Sequence, residues 1–122
     1  MCDVGDRGVN MSTTEIFKLQ AEFCQRMSNP SRIQILHALR EGPSRVSDLA
    51  AATGMPAGTV SRHLSVLRSG ELVTAERNGQ EMVYAIVNPK IVEICDLMRT
   101  VLAEQLRRHA AVAETFDSSS EA

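Results

Sequence analysis

Polar side chains that can bind nucleic acid are concentrated in the middle of the chain: Thr59, Ser61, Arg62, His63 and Ser65. A guanidinium can bind guanine through two parallel hydrogen bonds, and hydroxyl groups bind phosphate oxygens or base edges. Val60, Leu64 and Leu67 recur between them at helical spacing. The pattern predicts a helix, roughly residues 57–68, whose exposed face carries these polar groups.

A second polar group follows at a predicted β-hairpin. The step Asn78-Gly79 lies between two β-prone runs, residues 72–75 and 82–86, and such a step is the strongest short-range hairpin signal. We expect Arg77, Asn78 and Gln80 at the tip, where they could reach a nucleic-acid backbone.

The thiols form the other reactive group of the sequence: Cys2, Cys24 and Cys95. Their odd number and wide spacing do not indicate a structural disulfide framework. A thiol can form a disulfide or persulfide, or bind a soft metal as thiolate. It can also pack as a small hydrophobic side chain. Reactive and structural roles for Cys24 and Cys95 therefore both stay open.

Five helices are expected to position these groups. Ser12 and Glu15 have the spacing of a capping box at the start of the first helix, and Pro30 suits the first position of the second. Ser44 or Ser47 is expected to cap the third helix, which ends at Gly54. We predict disordered segments at residues 1–11, which include Cys2, and at 114–122, with a single domain over residues 12–113.

The last helix is predicted at roughly residues 89–113. Its apolar stripe, from Ile91 to Leu106, is too long for one small domain to cover. We therefore expect it to pair with a second copy of the chain.

Composition limits the class of protein. The chain has 122 residues, of which 43% are hydrophobic and only 3% aromatic, which favours one mainly α-helical domain with a small β-hairpin. The net charge of −2 means that nucleic-acid binding must depend on a local arrangement of cations.

No membrane span or signal peptide is recognisable, so a cytoplasmic location is expected. Phosphate-binding loops, catalytic triads and paired carboxylates are also missing, which indicates that the protein is not an enzyme.

The order of elements, helix-helix-helix-helix-hairpin-helix, is that of a winged helix-turn-helix. The segments 29–36, 46–50 and 59–70, together with Leu72-Val73, Asn78-Gly79 and Tyr84, closely resemble the ArsR family (ArsR/SmtB) of transcriptional repressors. The resemblance implies a homodimer held by the first and last helices. It also implies binding to a palindromic double-stranded DNA operator, and release of that operator when an inducer binds.

Two metal-binding patterns of that family are missing. The third helix has no Cys-x-Cys pair, and the last helix offers only Asp96 and His109 of an Asp/His set. No firm metal site and no required cofactor are therefore predicted.

Because the first and last helices meet at the dimer interface in this fold, Cys24 and Cys95 are the candidate effector site. They could respond to reactive sulfur, to an oxidant, or to a soft metal or metalloid such as arsenite. The alternatives are a winged-helix protein-interaction module and a repressor whose cysteines are only structural.

Overall fold

Helix α1, Thr13–Met27, begins at the predicted capping box. The computed structural model describes residues 12–120, with side chains as far as residue 114. The Ser12 N–H donates to Glu15 Oε1 (3.0 Å), and the Glu15 N–H donates to Ser12 Oγ (3.2 Å). The hydrogen bond from the Ser12 N–H to the carboxylate, followed by that from the Ser12 hydroxyl, lowers the pKa of Glu15 below its ordinary value. Two N–H groups at the helix start are thereby satisfied.

Helix α2, Pro30–Leu39, has proline at its first position as predicted. Asn29 caps it, since its Oδ1 accepts hydrogen bonds from the N–H groups of Ser31 (2.9 Å) and Arg32 (3.2 Å). Arg32 in turn fixes the preceding helix, because its Nε donates to the backbone oxygen of Arg26 (2.6 Å) at the end of α1. The turn between α1 and α2 is therefore closed by local hydrogen bonds.

The start of helix α3, Val46–Thr53, corrects the prediction. Neither Ser44 nor Ser47 caps it. Ser44 belongs to a two-residue strand, β1 (Ser44–Arg45), and its hydroxyl donates to the Gly42 oxygen (3.1 Å). The N-cap is Arg45, whose N–H donates to Asp48 Oδ2 (3.1 Å). The hydrogen bond to the Asp48 carboxylate, three residues after the N-cap, is thus found in place of the predicted serine cap.

Helix α4, Ala57–Ser69, leads into the predicted hairpin of β2, Val73–Asn78, and β3, Glu81–Ile86. Asn78 pairs with Glu81, which leaves Gly79 and Gln80 as the turn. Gly79 has φ 69°, a value that glycine adopts without strain and that the favoured hairpin turns require. Strand β1 pairs antiparallel with β3, so the sheet has the order β1-β3-β2.

The chain divides into two compact units, Met1–Val87 and Asn88–Ala122. The first is built around aliphatic side chains, since a chain with few aromatics must fill its core with them. Its buried side chains come from α1 to α4 and from the start of β2: Met27, Ile35, Leu36, Leu39, Leu49, Val60, Leu64, Leu67, Leu72 and Val73.

The second unit is helix α5, Lys90–Ser120. Asn88 Oδ1 accepts a hydrogen bond from the Lys90 N–H (2.9 Å) at its start. The helix extends past residue 113, the predicted end of the last helix. The predicted arm at residues 1–11 lies outside the described residues. Within the described part, no helix has the length and apolar character needed to span a membrane.

Candidate nucleic-acid interface

A tight turn joins α3 to α4. Gly54 ends α3 in the left-handed conformation, with φ 76°, and its N–H donates to the Ala50 oxygen (2.8 Å). A side chain at this φ would be strained, which explains the glycine. Thr53 Oγ1 donates to the Leu49 oxygen (2.7 Å) and accepts from the Met55 N–H (3.4 Å). The two helices are therefore joined as a helix-turn-helix with a defined turn.

Helix α4 presents one face to the core and the opposite face to solvent. Val60, Leu64 and Leu67 are fully buried, whereas Ser61, Arg62 and Ser65 are exposed. Thr59 and His63 are only partly exposed, so the predicted polar face is narrower than the sequence suggested. The reason is helical geometry, because both positions lie at the edge of the buried stripe.

Arg62 is held in place on this face. Its Nη2 donates to Thr59 Oγ1, 3.3 Å away on the preceding turn. Arg68 is also exposed and lies three residues after Ser65, a spacing that brings it near the same face. Sequence reasoning missed Arg68, although the helical spacing from Ser61 and Ser65 could have identified it.

His63 lies in a cationic environment. Partial burial lowers the pKa of its imidazole, and the positive charges of Arg32 and Arg62 lower it further. The side chain is consequently neutral at pH 7. A neutral imidazole can donate or accept one hydrogen bond per ring nitrogen, but it brings no positive charge to a phosphate.

The hairpin exposes Arg77, Asn78 and Gln80 around its turn, as predicted. These residues extend from the sheet on two six-residue strands. This geometry is that of a wing, in which a guanidinium and two amide groups occupy the tip.

Arg45 connects the hairpin to the helix-turn-helix. Its Nη1 contacts Glu81 Oε2 (2.9 Å) on β3, and its Nε contacts Asp48 Oδ2 (3.2 Å) on α3. The hydrogen bond to Asp48, followed by that to Glu81, raises the pKa of Arg45, and Arg45 lowers the pKa of Asp48. All three side chains are about half exposed, so the network adds little stability. It joins the hairpin to α3, and its two carboxylates offset the charge of Arg45.

The two candidate effector thiols have different surroundings. Cys24 is exposed on α1, whereas Cys95 is buried on α5. Asp96, one candidate of the Asp/His set, is ion-paired with Arg99. Among residues 12–114, no cluster of three or more His, Cys, Asp or Glu side chains could hold a metal ion.

Known proteins resemble both the sequence and the structure. Residues 29–75 match the family model for bacterial regulatory proteins of the arsR family. The uncharacterized HTH-type transcriptional regulator Rv0081 of Mycobacterium tuberculosis is 37% identical over 105 residues, which are 85% of this chain and 92% of that protein. Its crystal structure matches with a TM-score of 0.70, at 36% identity, over 78% of this chain and 96% of that one.

Two further solved structures are informative. The homodimeric winged helix-turn-helix DNA-binding domain of Mb0332 from Mycobacterium bovis matches with a TM-score of 0.69, at 32% identity, over 87% of this chain and 94% of that one. The antimony-specific transcriptional repressor AntR matches with a TM-score of 0.66, at 29% identity, over 88% of this chain and 99% of that one. These similarities confirm the predicted winged helix-turn-helix fold, and they are to regulators of transcription rather than to enzymes.

Proposed function

Because this chain belongs to the ArsR family of bacterial transcriptional regulators, we propose that it is an inducible repressor that binds a palindromic DNA operator as a homodimer. The observation that carries the proposal is that α4 is amphipathic. Its apolar side chains are fully buried, while Ser61, Arg62 and Ser65 face solvent. A helix anchored in this way can enter the major groove as a rigid element.

Each exposed cation has a distinct role in this proposal. Arg62 reads bases, since its guanidinium is on the outward face of α4 and is held by Thr59. Arg77 at the wing binds phosphate, which positions the protein without reading sequence. Local cations then compensate for the overall charge of −2, and a dimer presents each of them twice.

Replacing Arg62 by alanine is expected to weaken operator binding about 5- to 150-fold, since a bidentate base contact is worth about 1–3 kcal/mol. Arg77→Ala should instead weaken binding to all DNA sequences alike. It should also reduce, by about 1, the slope of the logarithm of the binding constant against the logarithm of the salt concentration. The measurement is fluorescence anisotropy at fixed salt, with DNA from upstream of the protein's own gene and an unrelated duplex.

The control for this experiment is Arg107→Ala, which removes an exposed positive charge from α5. It should leave the affinity for DNA nearly unchanged. Unchanged affinity in Arg62→Ala would remove Arg62 from the interface. If wild-type protein binds neither duplex, the alternative function as a protein-interaction module is favoured.

The homodimer is proposed to form through α5, with a contribution from α1. Helix α5 exposes a series of large apolar side chains: Ile94, Leu97, Met98, Val101, Leu102, Leu106 and Val112. On α1, Phe17 is 63% exposed. Exposed apolar surface of this extent marks an interaction site, and the similar Mb0332 domain is homodimeric.

The inducing signal is proposed to act on Cys24 and Cys95. Cys24 is exposed and lies seven residues after Phe17, on the same face of α1. It is therefore on the helix surface that the dimer would use. The similar repressor AntR is antimony-specific, and antimony, like arsenite, is a thiophilic metalloid. Oxidation is the other chemistry, in which two thiols lose two protons and two electrons to an oxidant and form a disulfide.

Cys24→Ser is expected to abolish release of DNA on treatment with arsenite, polysulfide or peroxide, with a smaller effect on basal affinity. Coupling between an effector and DNA is typically about 1–3 kcal/mol, so wild-type affinity should fall about 5- to 150-fold on treatment. Mass spectrometry after each treatment reads the state of Cys24 and Cys95 directly. If Cys24→Ser and Cys95→Ser both still release DNA, the cysteines are only structural.

A further inference from the structure

The guanidinium of Arg32, at the start of α2, is only partly used within the protein. Its Nε donates to the backbone oxygen of Arg26 (2.6 Å), and its Nη2 donates to that of Gln25 (3.4 Å). These bonds fix the guanidinium at the end of α1, while Nη1 makes no bond to any described residue. Among the described residues that are not exposed, Arg26 Nε is the one side-chain nitrogen or oxygen that is buried without a partner. Nη1 of Arg32 therefore reaches solvent as a positioned donor.

His63, on α4, lies near that guanidinium. Partial burial lowers the pKa of its imidazole most, and the charges of Arg32 and Arg62 lower it further. Neither ring nitrogen has a hydrogen-bond partner within residues 12–114, and neither is buried. The imidazole is thus a neutral, half-buried group that reaches solvent close to two cations.

No negative charge compensates this group of side chains. Helices α1 and α3 and strand β2 also pack against α4. Their carboxylates are not among the charges that shift the pKa of His63, and they belong to Glu15, Glu22, Asp48 and Glu76. Within the described chain, no ion pair engages Arg32, Arg62 or His63, whereas Arg45 has carboxylate partners. Like charges that repel one another in the free protein are stabilised by an anion, so the group is suited to an anionic ligand.

We propose that Arg32 and His63 bind one backbone phosphate of the operator, at the edge of α4 that adjoins α2. Arg32 Nη1 donates to one phosphate oxygen, and the imidazole donates to another. Because His63 directly follows Arg62, a duplex that α4 reads brings its backbone to this edge. The phosphate charge offsets the two arginines, so the imidazole takes up a proton from solvent as DNA binds. The inference rests on the proposed function, and it extends the DNA-binding surface from α4 and the wing to α2.

Operator binding then depends on pH. Because DNA raises the pKa of His63 in the complex, the affinity increases as the pH falls through that higher pKa. It levels off below the pKa of the free protein, where the imidazole is protonated in both states. Each tenfold increase in the proton affinity of the imidazole corresponds to about a 10-fold increase in DNA affinity per protomer.

NMR titration of the imidazole signals of the full chain tests the site, in the free protein, with a DNA duplex and with inorganic phosphate. His37 and His109, both exposed, are internal controls. DNA should raise the pKa of His63 and leave those of the other two nearly unchanged. An unchanged or lowered pKa of His63 in a complex that forms would overturn this inference alone, whereas failure to bind DNA would overturn the proposed function with it. If inorganic phosphate raises the pKa and DNA does not, the site takes a free anion and the DNA contact is wrong.

Variants separate the phosphate contact from the structural bonds of Arg32. Wild-type affinity for DNA should increase at least about 5-fold from about pH 8 to about pH 6, and His63→Gln, which cannot take up a proton, should change less than about 2-fold. His37→Gln is the matched control and should behave as wild type. Arg32→Gln removes the charge but keeps an N–H for the Arg26 oxygen, and it should raise the pKa of His63 in the free protein, whereas Arg32→Lys should not. Full pH dependence in His63→Gln would contradict the assignment even if Arg32→Gln fails to fold.

Discussion

Replacing Met98 by glutamate is expected to convert the homodimer into monomers and to reduce DNA affinity about 10²- to 10⁴-fold. Met98 is 42% exposed on α5, among the large apolar side chains of that helix. In the proposed dimer these side chains become buried against the partner, and burial of an unpaired carboxylate there is strongly unfavourable. A monomer binds one half-site and loses the avidity that two linked recognition helices provide.

The control for this substitution is Thr100→Glu. Thr100 is exposed two residues further along α5, which places it on the opposite side of the helix. The same charge there should leave the dimer intact. Light scattering coupled to gel filtration gives the mass, and fluorescence anisotropy gives the affinity for DNA. A Met98→Glu variant of dimeric mass would show that the dimer interface does not include this part of α5.

Most features set by neighbours in sequence were predictable, although the N-cap of α3 at Arg45 was missed. The capping box of Ser12 and Glu15 depends on residues three apart. The turn at Gly54 depends on the residues beside it. The buried stripe of α4 follows from helical periodicity, and with it the exposure of Ser61, Arg62 and Ser65. Local propensity and tertiary packing agree in these segments, which is why the sequence alone was sufficient.

Features that depend on distant pairings were not predictable. Strand β1 has two residues and exists because Ser44 pairs with Tyr84, forty positions later. The contact of Arg45 with Glu81 spans 36 positions. The packing of Arg26 on Gly70 likewise joins residues that are far apart in the chain.

The thiols show the same limit of prediction from the sequence. The sequence left open whether Cys24 and Cys95 react or only pack, and the structure exposes one and buries the other. Burial depends on which face of a helix packs, and this is set by elements far away in the chain. The structure therefore adds a difference in exposure between the two thiols.

Leu64→Ala is expected to lower the free energy of unfolding by about 2–5 kcal/mol, because it leaves a cavity beneath α4. Leu64 is fully buried, and a domain has only about 5–15 kcal/mol of stability in total. Urea unfolding followed by circular dichroism, at one protomer concentration for all variants, measures the change. Ser65→Ala, at the neighbouring position on the solvent-exposed side, should alter stability by less than about 0.5 kcal/mol. The two substitutions thus distinguish the face of α4 that supports the fold from the face proposed to meet DNA. A loss below about 1 kcal/mol in Leu64→Ala would mean that α4 is not anchored as described.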